Sequence, residues 1–171
     1  PYAVYSHSFP SGNPIELNHR YAIAILIDQD WRTARATTGH DWISNSMSFI
    51  AYSTSGFIAC VLADYIRRLG YPARAHHATN YQVVVPPTLL WAGLGEMARM
   101  SECVINPFLG PRFKAAVVTT DLPLVPDKPI DFGLQDFCSK CTVLARGMGD
   151  LRRKELPGDL LDRFHAVALA R

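Results

Sequence analysis

Residues 21–28 read YAIAILID. The run is uninterrupted, apolar and has the length of a strand rather than a helix, which predicts a core strand buried on both faces. Upstream of it, residues 1–20 mix Pro, Gly, Ser and Asn without periodicity and predict an arm lying over the rest of the chain. Downstream, past Gly39, the apolar residues Met47, Ile50, Ala51, Ile58, Val61, Leu62, Tyr65, Ile66 and Leu69 keep helical spacing. Ser44 or Asn45 can cap that helix, and Gly70 can end it, with Arg67 and Arg68 well placed against the negative end of its dipole. Residues 73–79 (ARAHHAT) predict a short strand, and Pro86-Pro87 predicts a break before the Gly-containing segment TLLWAGLGEMAR in a loop-rich middle third. A second core strand is expected at 113–120 (FKAAVVTT), followed by an extended path through Pro123, Pro126 and Pro129 and by helices near 134–145 and 158–169. Helices alternating with strands make this an α+β (α/β-like) domain.

At 171 residues and 49% hydrophobic content, the chain is sized for one core. The expected organisation is an arm over 1–20, a core over 21–145 and a helical tail over 146–171. The 17 basic and 15 acidic residues give a net charge of +2 and are interspersed, which argues against a nucleic-acid partner. No uninterrupted apolar run approaches the ~20 residues that span a bilayer. Pro10, Asn13, Pro14 and Glu16 fall where a signal peptide needs apolar residues, so no membrane segment and a cytoplasmic location are expected. The four cysteines are too few for a disulfide framework. Cys60 and Cys103 stand among apolar residues and are expected as buried small hydrophobes. His76 and His77 point to opposite faces if extended, so they are expected as a surface pair and not as joint ligands of one metal.

Periodicity goes no further, but residues 107–141, PFLGPRFKAAVVTTDLPLVPDKPIDFGLQDFCSKC, resemble the signature of the reductive dehalogenases: a Gly-Pro turn, a strand ending in T-D-L-P-L, then P-D-K-P-I and F-C-x-x-C. ADYIRRLGYPA (63–73) and WAGLGEMARMSECVINPFLG (91–110) are similar to further family stretches, so the resemblance covers roughly residues 20–141. It implies a nitroreductase-like domain, a central mixed sheet flanked by helices, that holds cobalamin base-off against Gly-rich loops. It further implies an oxidoreductase that removes halide from an organohalide with electrons from an external donor. Carried over by position, Gly93, Gly95, Arg99, Pro107 and Gly110 would face the cofactor, with Asn80 and Arg112 in the substrate pocket. Tyr52 would donate the proton, and Lys114 would be the basic partner that stabilises its phenolate, with Arg112 as the alternative cation. On the residues alone, other readings stay open: Tyr52 as a core tyrosine with its hydroxyl at the rim, Lys114 as a solvated side chain, and the glycines as turn formers.

The chain departs from the pattern after Cys138 and Cys141. The family continues into C-x-x-C-x-x-C-x-x-x-C-P, whereas here TVLARGMGD follows, with Leu144 at the third position and Gly147 or Met148 near the fourth. Two thiolates do not make the four-thiolate set of a 4Fe-4S cluster, and zinc or a redox disulfide lacks a second motif, so the pair reads as a remnant. The tail LRRKELPGDLLDRFHAVALAR can pack on its own domain, on a partner, or on a second copy in a homodimer. Two rivals to dehalogenation follow: a corrinoid-binding or corrinoid-processing protein, and a degenerate non-catalytic partner module.

Overall fold

The computed structural model describes residues 17–37, 42–78, 80–99 and 103–140. Its elements are β1 (Tyr21–Asp28), α1 (Trp31–Ala36), α2 (Trp42–Arg68), β2 (Ala73–His76), α3 (Val85–Trp91), β3 (Glu96–Met97), β4 (Val104–Ile105), β5 (Phe113–Thr120) and α4 (Leu134–Lys140). The fold is α+β, with a three-stranded sheet in the order β1-β5-β2, both pairs antiparallel, and a β3-β4 ribbon beside it.

The strand YAIAILID does lie between two layers. Ala22 and Ala24 join Val117, Val83, Leu89 and Ala92 on the α3 face, while Ile23 joins Ala116, Val118, Ala59, Ala63 and Ile66 on the α2 face. Alternation along β5 feeds both cores, which is why its middle, Ala115 to Val118, reads as a continuous apolar run. The inner stripe of α2 is made of small residues, Ala51, Ser55, Ala59 and Ala63, which bring the helix close to the sheet before Ile66 fills the end of the interface.

The opposite face of α2 is apolar too: Ile43, Ile50, Phe57, Val61 and Tyr65 are exposed. Asn45–Arg68 is long and apolar enough to cross a bilayer by length and composition alone. Ser46, Ser48, Ser53, Thr54 and Ser55 interrupt its apolar residues, so no unbroken apolar run marks it in the sequence. Contacts of α2 with all three sheet strands identify it as a core helix on its inner side.

Several expectations are corrected. Helix α2 begins at Trp42, so Ser44 and Asn45 lie inside its first turn and are not its caps. Pro86 and Pro87 do not break the chain but sit in the first turn of α3, where backbone N–H groups have no intrahelical acceptor and proline costs nothing. Cys60 is exposed because the buried phase of α2 runs through Ala59 and Ala63 and Cys60 is turned about 100° from Ala59, and Cys103 is exposed ahead of β4. His76 is fully buried rather than part of a surface pair. The helix expected at 134–145 is seen as α4; residues 1–16 of the arm, Cys141 and the tail with its second helix lie outside the described residues.

Candidate functional site

Register explains how Tyr52 and Lys114 meet. Lys114 shares the α2-facing side of β5 with Ala116 and Val118, and Tyr52 lies one turn from Ser55 on the inner side of α2. Strand β2 ends at His76 opposite Val117, so at Lys114 the sheet has narrowed to β1 and β5. Lys114 therefore stands where the interface opens, half-buried, with its Nζ 4.8 Å from the centroid of the Tyr52 ring. The ammonium interacts with the π face of the phenol, a geometry that leaves the hydroxyl available to another partner.

Gln29 and Ser48 stand at the same end, unflagged by the sequence. Gln29 is buried, its Nε2 donates to Ser48 Oγ at 3.3 Å, and its N–H donates to the Arg112 carbonyl at 3.0 Å. Arg112, the alternative cation, precedes β5. Its guanidinium donates to Asp28 Oδ1 at 3.1 Å and to the Gln29 carbonyl, and lies 5.4 Å from the Trp31 ring centroid. No sequence pattern pairs residues this far apart, apart from the strand register itself.

A second polar group lies on the α3 side. The His76 Nδ1 accepts the Gln82 N–H at 3.2 Å, so its Nε2–H donates to Thr119 Oγ1 at 2.9 Å, leaving the Thr119 hydroxyl to donate to His19 Nδ1 at 2.8 Å. Burial, followed by the charge of Arg74, pushes the His76 imidazole down to about 3, and burial lowers His19 as well. A neutral His76 with both nitrogens engaged is a structural clamp on residues 77–82. Asn80, on that segment, is exposed in a groove of about 700 Å³ beside β2, together with His77, whose ring packs against Gly56. That groove contains neither Tyr52 nor Lys114.

The residues assigned to the cofactor separate into two groups. A Cβ on Gly93 would stand 2.5 Å from the Lys128 carbonyl oxygen, and one on Gly95 2.2 Å from that of Ile105, so both glycines are required by approach of the chain's own backbone. Glu96 likewise serves the fold, its carboxylate accepting the N–H groups of Phe132 and Leu134 ahead of α4. Gly110, by contrast, has a positive φ of 62° and open space around it. It closes a turn in which Asn106 Oδ1 accepts the N–H groups of Phe108 and Leu109, both at 2.9 Å, and Asn106 Nδ2 donates to the Leu94 carbonyl at 2.7 Å. Pro107 and Phe108 are exposed at this turn, and Arg99 is exposed at the other end of the β3-β4 ribbon. Cys138 is buried within α4, and among the described residues no three metal-ligating side chains converge; Cys141, the other cysteine of the pair, lies outside the described residues.

No family model matches the chain. It is 36% identical over 124 residues to the tetrachloroethene reductive dehalogenase of Dehalobacter restrictus, a match covering 72% of this chain and 21% of that protein. Against the tetrachloroethene reductive dehalogenase of Sulfurospirillum multivorans it is 44% identical over 85 residues, 50% of this chain and 16% of that one. Among solved structures, the catabolic reductive dehalogenase NpRdhA in complex with 3-bromo-4-hydroxybenzoic acid superposes with a TM-score of 0.79 at 47% identity, over 85% of this chain and 21% of that one. The chain shares its sequence and fold with the reductive dehalogenases. It spans about a fifth of the length of the reductive dehalogenases it matches over most of its own residues. The reductive dehalogenase resemblance seen in residues 20–141 thus extends to the three-dimensional fold.

Proposed function

We propose that this chain forms the proton-donor side of a reductive dehalogenase-like oxidoreductase that replaces the halide of an organohalide with hydrogen. The observation that carries the reading is the placement of the Lys114 ammonium over the Tyr52 ring at the open end of the α2-sheet interface. The overall reaction consumes two electrons and one proton per carbon-halogen bond and releases halide. A corrinoid, when bound, supplies the electrons, renewed by an external donor. Tyr52 delivers the proton from its hydroxyl to the carbon that loses halide, and the positive charge of Lys114 stabilises the phenolate left behind. Arg112, fixed by Asp28 and Trp31, borders the substrate, and Asn80 contributes a polar edge from the neighbouring groove. Pro107 and Gly110 would hold the corrinoid at the exposed turn, with Arg99 meeting it from the far end of the β3-β4 ribbon.

Cysteine content favours a second reading. With Leu144 in place of a third cysteine, a corrinoid-binding chain without dehalogenation, or a non-catalytic partner module, needs no cluster. Anaerobic titration with cobalamin separates these readings. A base-off visible spectrum at about one corrinoid per chain, together with halide release from 3-bromo-4-hydroxybenzoic acid or tetrachloroethene under a chemical reductant, supports dehalogenation. Binding without halide release supports corrinoid handling, and no binding at about millimolar ligand, corresponding to ~4 kcal/mol, supports the non-catalytic module.

A further inference from the structure

Side-chain hydrogen bonds tie α2 to the sheet near both ends of their interface. At the C-terminal end of the helix the Arg67 guanidinium donates to the Ala73 carbonyl at 3.0 Å. At the other end Gln29 Nε2 donates to Ser48 Oγ at 3.3 Å. The β1-β5 register carries on past the strands, since the Gln29 N–H donates to the Arg112 carbonyl at 3.0 Å. Gln29 therefore lies on the α2 side, two residues beyond Ile27, the register partner of Lys114. Its backbone is held from both directions, because its carbonyl accepts the Arg112 guanidinium, which is itself fixed by Asp28 and Trp31. Ser48 precedes Tyr52 by four residues on α2, so the two share a face. Helical side chains lean toward the N-terminus, which directs the Tyr52 ring toward the turn that carries Ser48. Gln29 is buried, so its amide bonds Ser48 with little competition from water.

We infer that Gln29, acting through Ser48, is a positioning residue that holds the Tyr52 ring against the Lys114 ammonium. Apolar contacts set the separation of α2 from the sheet but have no direction, whereas the Gln29–Ser48 bond limits how far the helix slides or turns. That restraint falls where packing is weakest: β2 has ended at His76, and the inner stripe of the helix is made of small residues, Ala51 and Ser55. A cation-π contact reaches to about 6 Å, so from 4.8 Å a displacement of roughly 1 Å brings the pair to its limit. Where reacting groups must be aligned, a misplacement of that size costs as much as about 10²-fold in rate. The consequence for turnover rests on the proposed donor role of Tyr52, whereas the geometry is measurable without corrinoid.

The test is the ring-current shift of the Lys114 ε-methylene signal in NMR spectra of the full chain carrying isotope-labelled lysine, assigned by its loss in Lys114→Met. A group over a ring face is displaced upfield, so wild type should show the displacement and Tyr52→Leu should abolish it. Gln29→Leu and Ser48→Ala should each lose most of it, with the thermal midpoint confirming a folded chain, and Ser48→Ala decides alone where Gln29→Leu does not fold. Ser48→Thr, which keeps the hydroxyl, should retain it, and the double variant should match the single ones because both remove one bond. In corrinoid-loaded protein, kcat for halide release should fall by up to roughly 10²-fold in Gln29→Leu, with KM changed far less. A displacement unchanged in Gln29→Leu and Ser48→Ala, an equal loss in Ser48→Thr, or additive losses in the double variant would each overturn the role of Gln29. So would an unchanged kcat in Gln29→Leu where Tyr52→Phe is inactive. Undiminished halide release in Tyr52→Phe would instead sink the donor role, while the Lys114 signal still decides what Gln29 holds in place.

Discussion

The Lys114 ammonium lies over the face of the Tyr52 ring, 4.8 Å from its centroid, joining the strand and the helix on either side of one apolar interface. The contact uses the ring and not the hydroxyl, so chemistry and packing are separable by substitution. Tyr52→Phe keeps the cation-π contact and removes the proton. Halide release by corrinoid-loaded protein should fall by roughly 10²- to 10⁴-fold, the usual worth of a positioned general acid, with the thermal midpoint little changed. Undiminished turnover would place the donor elsewhere.

Lys114→Met should lose both functions of the cation. The packing loss is about 0.5–1 kcal/mol in chemical denaturation, in the range of a partly exposed cation-π pair. Halide release by corrinoid-loaded protein should fall as well, because the phenolate left by proton transfer loses its neighbouring cation. A variant equal to wild type in both measurements would assign Lys114 to the solvated surface.

His76 makes stability depend on pH in a defined direction. Its folded-state value of about 3 lies below the 6.5 of a free imidazole, chiefly through burial. The unfolded chain therefore takes up a proton that the folded chain refuses. The stability due to the neutral ring is complete above 6.5 and is lost as pH falls from there toward 3. His19, lowered too, acts in the same sense. Denaturant titrations at about pH 7 and about pH 5 should show this loss, with a slope approaching 1.4 kcal/mol per pH unit from His76. His76→Gln, which cannot titrate, should have the shallower profile; an unchanged slope would locate the sensitivity in other groups.

Gly95 and Gly110 should respond differently to alanine. A Cβ at 95 meets the Ile105 carbonyl oxygen at 2.2 Å, a contact that only displacement of the β3-β4 ribbon can relieve. At 110 the methyl has room, and the cost is the left-handed backbone, about 1–2 kcal/mol. Thermal midpoints should fall clearly further for Gly95→Ala than for Gly110→Ala, and the reverse order would mean that the ribbon relaxes freely.

Helix α2 offers an internal comparison. Ile66 is 1% exposed between helix and sheet, so Ile66→Ala should cost about 2–5 kcal/mol. Phe57, on the outer stripe at 71% exposure, should cost less than about 0.5 kcal/mol when changed to Ala in isolated protein. A large loss at Phe57 would show that the outer stripe is covered in solution.

Legibility in the sequence followed the range of the forces involved. β1, β5 and the body of α2 were plain because each buries a periodic run against a partner layer, and the Gly-Pro-containing turn before β5 was marked by its own residues. Cys60 was misread because a helix carrying apolar residues on two faces does not declare which one meets the sheet. His76 was misread because nothing near it in sequence announces Thr119, its partner across the β2-β5 pairing. At Gly93 and Gly95 only the packed chain shows that the Lys128 and Ile105 carbonyls stand where a Cβ would be, because a glycine in sequence does not specify what approaches it.

By itself the sequence determined the two core strands, the long helix, the likeness to the reductive dehalogenases and the shortage of cysteines, all of which rest on local periodicity or on which residues are present. Tertiary structure alone decided that Lys114 meets Tyr52 and that Arg112 is held by Asp28 and Trp31. Those relationships depend on strand register and helix rotation, which are fixed by how both faces of β5 are buried at once, a property of the packed chain and not of any segment in it.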